Sequence, residues 1–342
     1  MNHITVYDIA KEANVSVSTV SRVLNDTAPV KKSTKDKIMQ IIDKYQFQPN
    51  ALARSLLKKE TGTIGMIMPD ITNPFFPEVF LGAESEARIK GYTFFLCNTS
   101  GDSARESEYL SILSEKRVDG IIFMGGRINL ARCKPELVKE VTDISSRIPV
   151  VLVNGQLPNS NIVRVSTDEA KGARLVTQHL IDLGHKDIGF IGGVDHMSTT
   201  IQKVKAFKSQ LEDSGLVYQP DWVLHGSFSV RSGEELMKKM IEMKKRPTAI
   251  FCVNDFTAVG AIKAVSEHGM KIPDDFSIVG FDDTPLATSI IPEMTTVSQK
   301  SHELGKTAVQ ILTKLLNKEK VKRLTLLEPE LMIRKSTGRL KN

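Results

Sequence analysis

The residues best suited to chemistry fall into two groups. The first is a run of short polar side chains ending in a guanidinium, Ser16-Val17-Ser18-Thr19-Val20-Ser21-Arg22. These groups break no bonds, but they suit the DNA major groove. Small hydroxyls let a helix sit deep, and an arginine can donate twice to a guanine edge. For Arg22 a phosphate contact competes with a base contact, and for Val17 and Ser18 the competing state is plain solvent exposure. The second group is Asp70, Asn73, Asn154, Asn254, Asp255 and Asp282, each shortly after an apolar run. Such carboxylates and carboxamides can clamp a polar ligand, and they can equally close a loop or cap a helix. Asn254-Asp255 is a capping pair as well as a candidate clamp. Phe75, Phe76 and Phe228 fit either a core or the apolar face of a sugar ring.

These groups need elements to position them. Thr5 can cap a helix over 6–13 with Val6, Ile9, Ala10 and Ala13 on one face. Asn14-Val15-Ser16 interrupts it, and Ser16 can cap a second helix over 17–24. Two short helices across a three-residue break form a helix-turn-helix. A third helix over 32–45, with Ile38, Ile41 and Ile42 inward, closes a small core. Pro49 then sets a boundary, and Asn50 can cap a two-turn helix to Leu57. A helix this short is marginal alone, and Leu52, Leu56 and Leu57 ask for a partner: a second subunit, the adjacent domain or an unstacked base step.

From Gly62 the period changes. Apolar strands are expected over 63–69, 93–97, 120–124 and 149–153, separated by helices. A second series follows a helix over 167–183, with strands over 187–191, near 222–225, and over 249–253 and 276–279. Continuous apolar strands alternating with helices predict an α/β fold with parallel sheets covered on both faces. Two such series predict two lobes with a cleft where the strand carboxyl ends converge.

Composition narrows the function classes. The chain has 342 residues, and residues 1–60 carry +4 of the net +6 charge. The excess sits on the small N-terminal piece, as a DNA-binding module requires. Cys97, Cys133 and Cys252 are odd in number and far apart, arguing against a disulfide scaffold or a zinc site and for a reducing cytoplasm. No signal-peptide core opens the sequence and no segment offers eighteen continuous apolar residues, so no membrane insertion is expected. The phosphate-loop, H-E-x-x-H and G-x-S-x-G patterns are missing, and no enzyme activity, cofactor or metal is expected.

Several linked motifs carry a family resemblance: Thr5–Asn25, Pro49–Leu56, Pro69-Asp-Ile-Thr-Asn-Pro-Phe-Phe76, Leu183-Gly-His-Lys-Asp-Ile-Gly-Phe-Ile-Gly-Gly193, Asn254-Asp255 and Gly280-Phe-Asp282. Together they resemble the lactose-repressor family of bacterial transcriptional regulators over essentially the whole chain. The resemblance implies a helix-turn-helix domain at 1–48, a hinge helix and linker at 49–61, and a periplasmic-binding-protein-like core at 62–342. The core would divide into an N-lobe at about 62–161 and 293–322 and a C-lobe at about 162–290 and 325–342. It further implies a homodimer on a near-palindromic double-stranded DNA operator. The DNA-contacting positions would be Thr5, Tyr7, Ser16, Val17, Ser18, Thr19, Ser21, Arg22 and Asn25, with Asn50, Ala53 and Leu56 in the hinge, where Leu56 would wedge between central base pairs. Effector positions would be Asp70, Asn73, Phe75, Asn154, Lys203, Phe228, Asn254 and Asp282.

Two departures from the family pattern bear on the effector. Lys203 stands where the family places an arginine, replacing a rigid fork with one mobile charge; on a Lys-rich helix it could also point to solvent. Asn154-Gly155 replaces an Asp-Arg pair. The expected effector is a sugar or sugar derivative, with a nucleoside, a phosphorylated sugar or a partner protein as alternatives. Phe123-Met-Gly-Gly126 is similar to the global carbon-catabolite regulators of Gram-positive bacteria, which bind a seryl-phosphorylated carrier protein. The polar ending, Arg334 to Asn342, lacks a leucine-rich tetramerising helix, so a dimer is expected.

Overall fold

The computed structural model describes residues 4–25, 28–47 and 60–340. The chain divides into two compact units, Met1–Thr61 and Gly62–Asn342.

The first unit contains helices α1 (Val6–Ala13), α2 (Val17–Asn25) and α3 (Lys32–Lys44). Thr5 caps α1 through a reciprocal capping box with Asp8, and Asn14 ends it in the left-handed region at φ 56°. Ser16 Oγ accepts the Thr19 N–H at 3.2 Å, which starts α2 as the sequence predicts. Ile9, Ala10, Ala13, Val20, Val23, Ile38, Ile41 and Ile42 are buried together, so all three helices share one small core.

The second unit holds two parallel sheets. In the first, β1 (Thr63–Met68), β2 (Thr93–Asn98), β3 (Gly120–Met124), β4 (Val150–Val153), β5 (Val163–Thr167) and β11 (Leu324–Leu327) run in the order β11-β5-β4-β3-β1-β2. In the second, β6 (Ile188–Ile191), β7 (Val223–Leu224), β8 (Ala249–Cys252) and β9 (Ser277–Val279) run β7-β6-β8-β9. Buried apolar clusters pack on both faces of each sheet, which explains the continuous apolar runs of the central strands. A short antiparallel pair, β10 (Thr296–Ser298) with β12 (Glu330–Met332), links the lobes.

The sequence placed the lobe crossings too early. Val163–Thr167 pairs with β4, and Leu324–Leu327 pairs with Val163–Thr167, so both belong to the first lobe. Thr295 and Ser298 form bridges to Val279 and Asp282 of the second lobe. The crossings therefore fall at about 167–169, 298–301 and 327–330. Strand β5 escaped notice because Arg164 and Ser166 break its apolar pattern. It lies next to the edge strand, where only alternate residues are deeply buried.

Each lobe contains a helix pair packed at glycines. Helices Phe75–Ile89 and Ser301–Leu316 meet where a Cβ on Gly305 would lie 1.8 Å from the Val79 carbonyl oxygen. Helices Val230–Ile241 and Asp255–Glu267 meet where one on Gly260 would lie 1.9 Å from the Val230 oxygen. These approaches admit no side chain, so they fix how the helices seat on their sheets.

Candidate functional site

In the first unit, α2 presents the residues expected to read DNA. Val20 and Val23 point inward, while Ser18 and Arg22 are exposed and Val17, Thr19 and Ser21 are half-buried. Val17 packs against the core, so its solvent-facing role is only partial. Arg22 forms no ion pair or hydrogen bond among the described residues, leaving its donors available. Ser16 Oγ lies 2.8 Å from Ser18 Oγ and 2.9 Å from Thr19 Oγ1, a hydroxyl cluster at the start of the helix. Tyr7 is exposed on α1. Thr5 spends its hydroxyl on Asp8, at 2.6 Å. Asn25 ends α2, and the expected hinge residues Asn50, Ala53 and Leu56 lie outside the described residues.

In the second unit, all eight expected effector residues line one cavity of about 580 Å³ between the lobes. Asp70, Asn73, Phe75 and Asn154 come from the first lobe, and Lys203, Phe228, Asn254 and Asp282 from the second. Most follow the carboxyl ends of parallel strands, where backbone turns free side chains to converge. Phe75 both lines the cavity and belongs to the first-lobe core, with its ring edge-on to Phe76 at 5.2 Å.

Several of these side chains serve the fold as well. Asn254 Oδ1 caps the following helix at Thr257 N, 2.9 Å away, and its amide donates to the Phe228 carbonyl at 3.1 Å. Asp70 Oδ1 accepts from Thr72 N and Oγ1 at 2.9 and 2.6 Å. Asn73 Oδ1 accepts from Phe75 N at 3.1 Å. Asp255, fully buried, accepts from Thr284 and Thr296 and does not line the cavity. Burial raises its carboxyl to about 6 against those hydrogen bonds.

Lys203 is only 4% exposed, which overturns the solvent-facing alternative. Its ammonium lies 3.2 Å from Glu169 Oε2 and 4.1 Å over the Phe281 ring. The angle to Glu169 Oε2 is poor for a hydrogen bond, but the separation leaves a buried ion pair. Glu169 was not singled out from sequence. Asp282 adds a second buried carboxylate, raised well above its ordinary range by burial, with Lys203 pulling the other way.

A second buried charge cluster supports the cavity wall. Arg127, fully buried, donates from Nε to Glu106 at 2.6 Å, from one terminal nitrogen to Glu140 at 2.6 Å, and from the other to Ser103 O and Ser107 Oγ at 2.6 and 2.8 Å. Every guanidinium nitrogen is thus engaged, and the Gly126–Asn129 turn beside the cavity is held from behind. At the mouth the lobes touch directly, Ala131 N donating to His196 O at 2.9 Å beside a Leu130–Met197 bridge. No group of three or more potential metal ligands occurs among the described residues. Cys97, Cys133 and Cys252 are free thiols, and no described helix is long and apolar enough to cross a membrane.

A helix-turn-helix unit followed by a two-lobed, periplasmic-binding-protein-like core defines a class of DNA-binding transcription regulators. The family model "Bacterial regulatory proteins, lacI family" matches residues 5–50, and "Periplasmic binding protein-like domain" matches residues 177–337. The HTH-type transcriptional repressor PurR of Aliivibrio salmonicida is 35% identical over 98% of this chain and 99% of its own length. Catabolite control protein A of Priestia megaterium is 38% identical over 93% of this chain and 94% of its own. The lac repressor dimer bound to operator and the anti-inducer ONPF superposes with a TM-score of 0.86 at 26% identity, covering 98% of this chain and 99% of that one. The chain belongs to the lacI family of bacterial regulatory proteins, whose members here are DNA-binding transcriptional repressors and not enzymes.

Proposed function

We propose that this repressor acts in the cytoplasm as a homodimer on a near-palindromic operator, and that a neutral sugar-like molecule in the inter-lobe cavity sets its DNA affinity. The observation that carries this reading is the convergence of eight side chains from both lobes on one cavity. A ligand touching both lobes binds their closed and open arrangements unequally, which is the requirement for a switch.

The lining favours a neutral ligand. Lys203 is the only lysine or arginine among the described lining residues and its charge already faces Glu169, so a sugar phosphate meets Asp70 with no unpaired lysine or arginine to offset it. Phe75, Phe76 and Phe228 supply apolar faces for a ring, and carboxamides and carboxylates supply partners for hydroxyls. The same phenylalanines suit the flat base of a nucleoside, which is the second reading. For the dimer, helix Phe75–Ile89 leaves Leu81 and Ile89 exposed, and edge strand β2 leaves Phe95 and Leu96 exposed beside it. Such an apolar edge asks for cover.

On DNA, Val17, Ser18 and Arg22 would select the half-site. Asn50, Ala53 and Leu56 would bend the centre, and effector binding would alter the spacing of paired hinges. The test is operator selection with the full chain, followed by thermal-shift measurement with neutral sugars, nucleosides and sugar phosphates. Stabilisation by a neutral sugar supports the reading and stabilisation by a nucleoside the second one. Stabilisation by sugar phosphates alone contradicts both. No shift with any of them points to control by a phosphorylated carrier protein.

A further inference from the structure

Inside the cavity the lobes are joined by a chain of three side chains whose hydrogen-bond direction is set at one end by the backbone. The Thr167 N–H donates to Asn154 Oδ1 at 2.8 Å. A backbone N–H cannot reverse its role, so Asn154 must turn its Nδ2 outward, and it donates to Gln299 Oε1 at 2.8 Å. That leaves Gln299 Nε2 facing Asp282, where it donates to Oδ1 at 2.6 Å. Asn154 follows β4 in the first lobe, Asp282 follows β9 in the second, and Gln299 sits on the crossing between β10 and helix Ser301–Leu316. Gln299 is 3% exposed, and its carbonyl accepts from the Thr167 hydroxyl at 2.7 Å, so its backbone is held in place.

We propose that Asn154, acting through Gln299, fixes Asp282 as a hydrogen-bond acceptor, so that the cavity selects effectors bringing a hydroxyl or ring N–H donor to the other Asp282 oxygen. This rests on reading the cavity as the effector site. Asn154 and Gln299 are positioning residues here, because they act through Asp282. The relay needs no proton on Asp282: every donor has an acceptor as it stands. An aspartate in place of Asn154 would break this order. It would still accept the Thr167 N–H, but its second oxygen would claim the Gln299 N–H, turning Gln299 Oε1 toward Asp282. Two carboxyl groups would then share one donor, and one of them would need a proton.

The groups facing Asp282 make that proton consequential. Burial pushes its carboxyl up; Lys203 on helix Ser198–Asp213 and Gln299 on the crossing hold it down, while Asp255 and Glu169, at two helix starts, push it up again. Losing the Gln299 donor therefore favours protonation of the folded state. A carboxyl whose folded pKa lies above its unfolded value contributes stability at low pH and loses it as pH rises through the folded value.

The test measures thermal midpoints of the full chain from pH 5.5 to 8 for the parent, Asn154→Asp, Asp282→Asn, and Asn154→Asp with Asp282→Asn. For Asn154→Asp the deficit relative to the parent should grow by about 3 °C or more between pH 5.5 and 8. In the double variant the carboxamide that replaces the Asp282 carboxylate donates to the turned Gln299 and completes the relay in reverse. Its pH dependence should match that of Asp282→Asn alone. Parent-like pH dependence in Asn154→Asp, or excess steepness surviving in the double variant, overturns the proposal. If Asn154→Asp fails to fold, a folded double variant supports the proposal and an unfolded one overturns it. Binding is tested separately with D-glucose, D-ribose and inosine. Any of these that stabilises the parent should bind at least about tenfold more weakly to Asp282→Asn, which turns an N–H toward the cavity; unchanged affinity overturns the acceptor role. If none stabilises the parent, the effector-site reading fails while the pH comparison still decides the relay.

Discussion

Replacing Arg127 with methionine should unseat the cavity wall without touching any group that lines the ligand space on the second lobe. Of the two carboxylates that Arg127 holds, Glu140 is 41% exposed and can return to water, whereas Glu106 is 1% exposed and cannot. The cost therefore comes from Glu106. Removing one partner of a buried pair costs about 3–5 kcal/mol, and at roughly 2–3 °C per kcal/mol for a unit of this size the midpoint should fall by about 6–15 °C. Burial already raises the Glu106 carboxyl despite Arg127, so without the guanidinium the folded state takes up a proton more readily. A raised folded pKa contributes stability at low pH, so the loss should be smaller at pH 5.5 than at pH 8. Arg127→Met with Glu106→Gln should recover at least half of it, because the glutamine carries no charge to strand. Scanning calorimetry of the full chain reads these differences. A midpoint within about 2 °C of the parent, which is under about 1 kcal/mol, or a larger loss at pH 5.5, would refute the reasoning.

Gly305→Ala should force its helix off Val79. The overpacking cost of about 1–3 kcal/mol outweighs the gain of up to about 1 kcal/mol from replacing a helical glycine, and urea denaturation with an unchanged or higher midpoint would contradict the packing. Phe95→Glu places a charge on the exposed edge strand. Sedimentation should show monomers with an intact fold, whereas an undisturbed dimer would mean that another face associates. Arg22→Ala should weaken operator binding by about 1–3 kcal/mol and relax preference at one base pair; equal losses on operator and random DNA would make it a phosphate contact. Leu56→Ala should weaken the operator complex more than nonspecific binding, measured by anisotropy on both DNAs, and equal losses would remove its role at the centre of the site.

Much of the cavity was legible because local rules place it. Asp70, Asn154, Asn254 and Asp282 follow strands of a parallel sheet, and such positions converge whatever the details of packing. The first three helices were equally clear, since Ile9, Val20 and Ile38 sit at helical spacing and Thr5 and Ser16 are good caps. What escaped depends on distance in sequence. Arg127 meets Glu106 across 21 residues, and nothing near either residue signals the pairing. Gln299 comes from a crossing whose strand, Thr296–Ser298, is too short to show a period. Lys203 lay on a helix rich in lysine, and only its partners, Glu169 and the Phe281 ring, distinguish it from its solvated neighbours.

The most direct measurement is operator affinity of the full chain by fluorescence anisotropy, with and without the neutral sugar or nucleoside that most stabilises it. A switch of this kind should change affinity by about 5- to 150-fold, and Asp282→Asn should abolish the change while leaving affinity without effector within about twofold, the scatter allowed for a site outside the DNA interface. Operator affinity that ignores every cavity ligand, or a response undiminished in Asp282→Asn, would contradict control through this cavity.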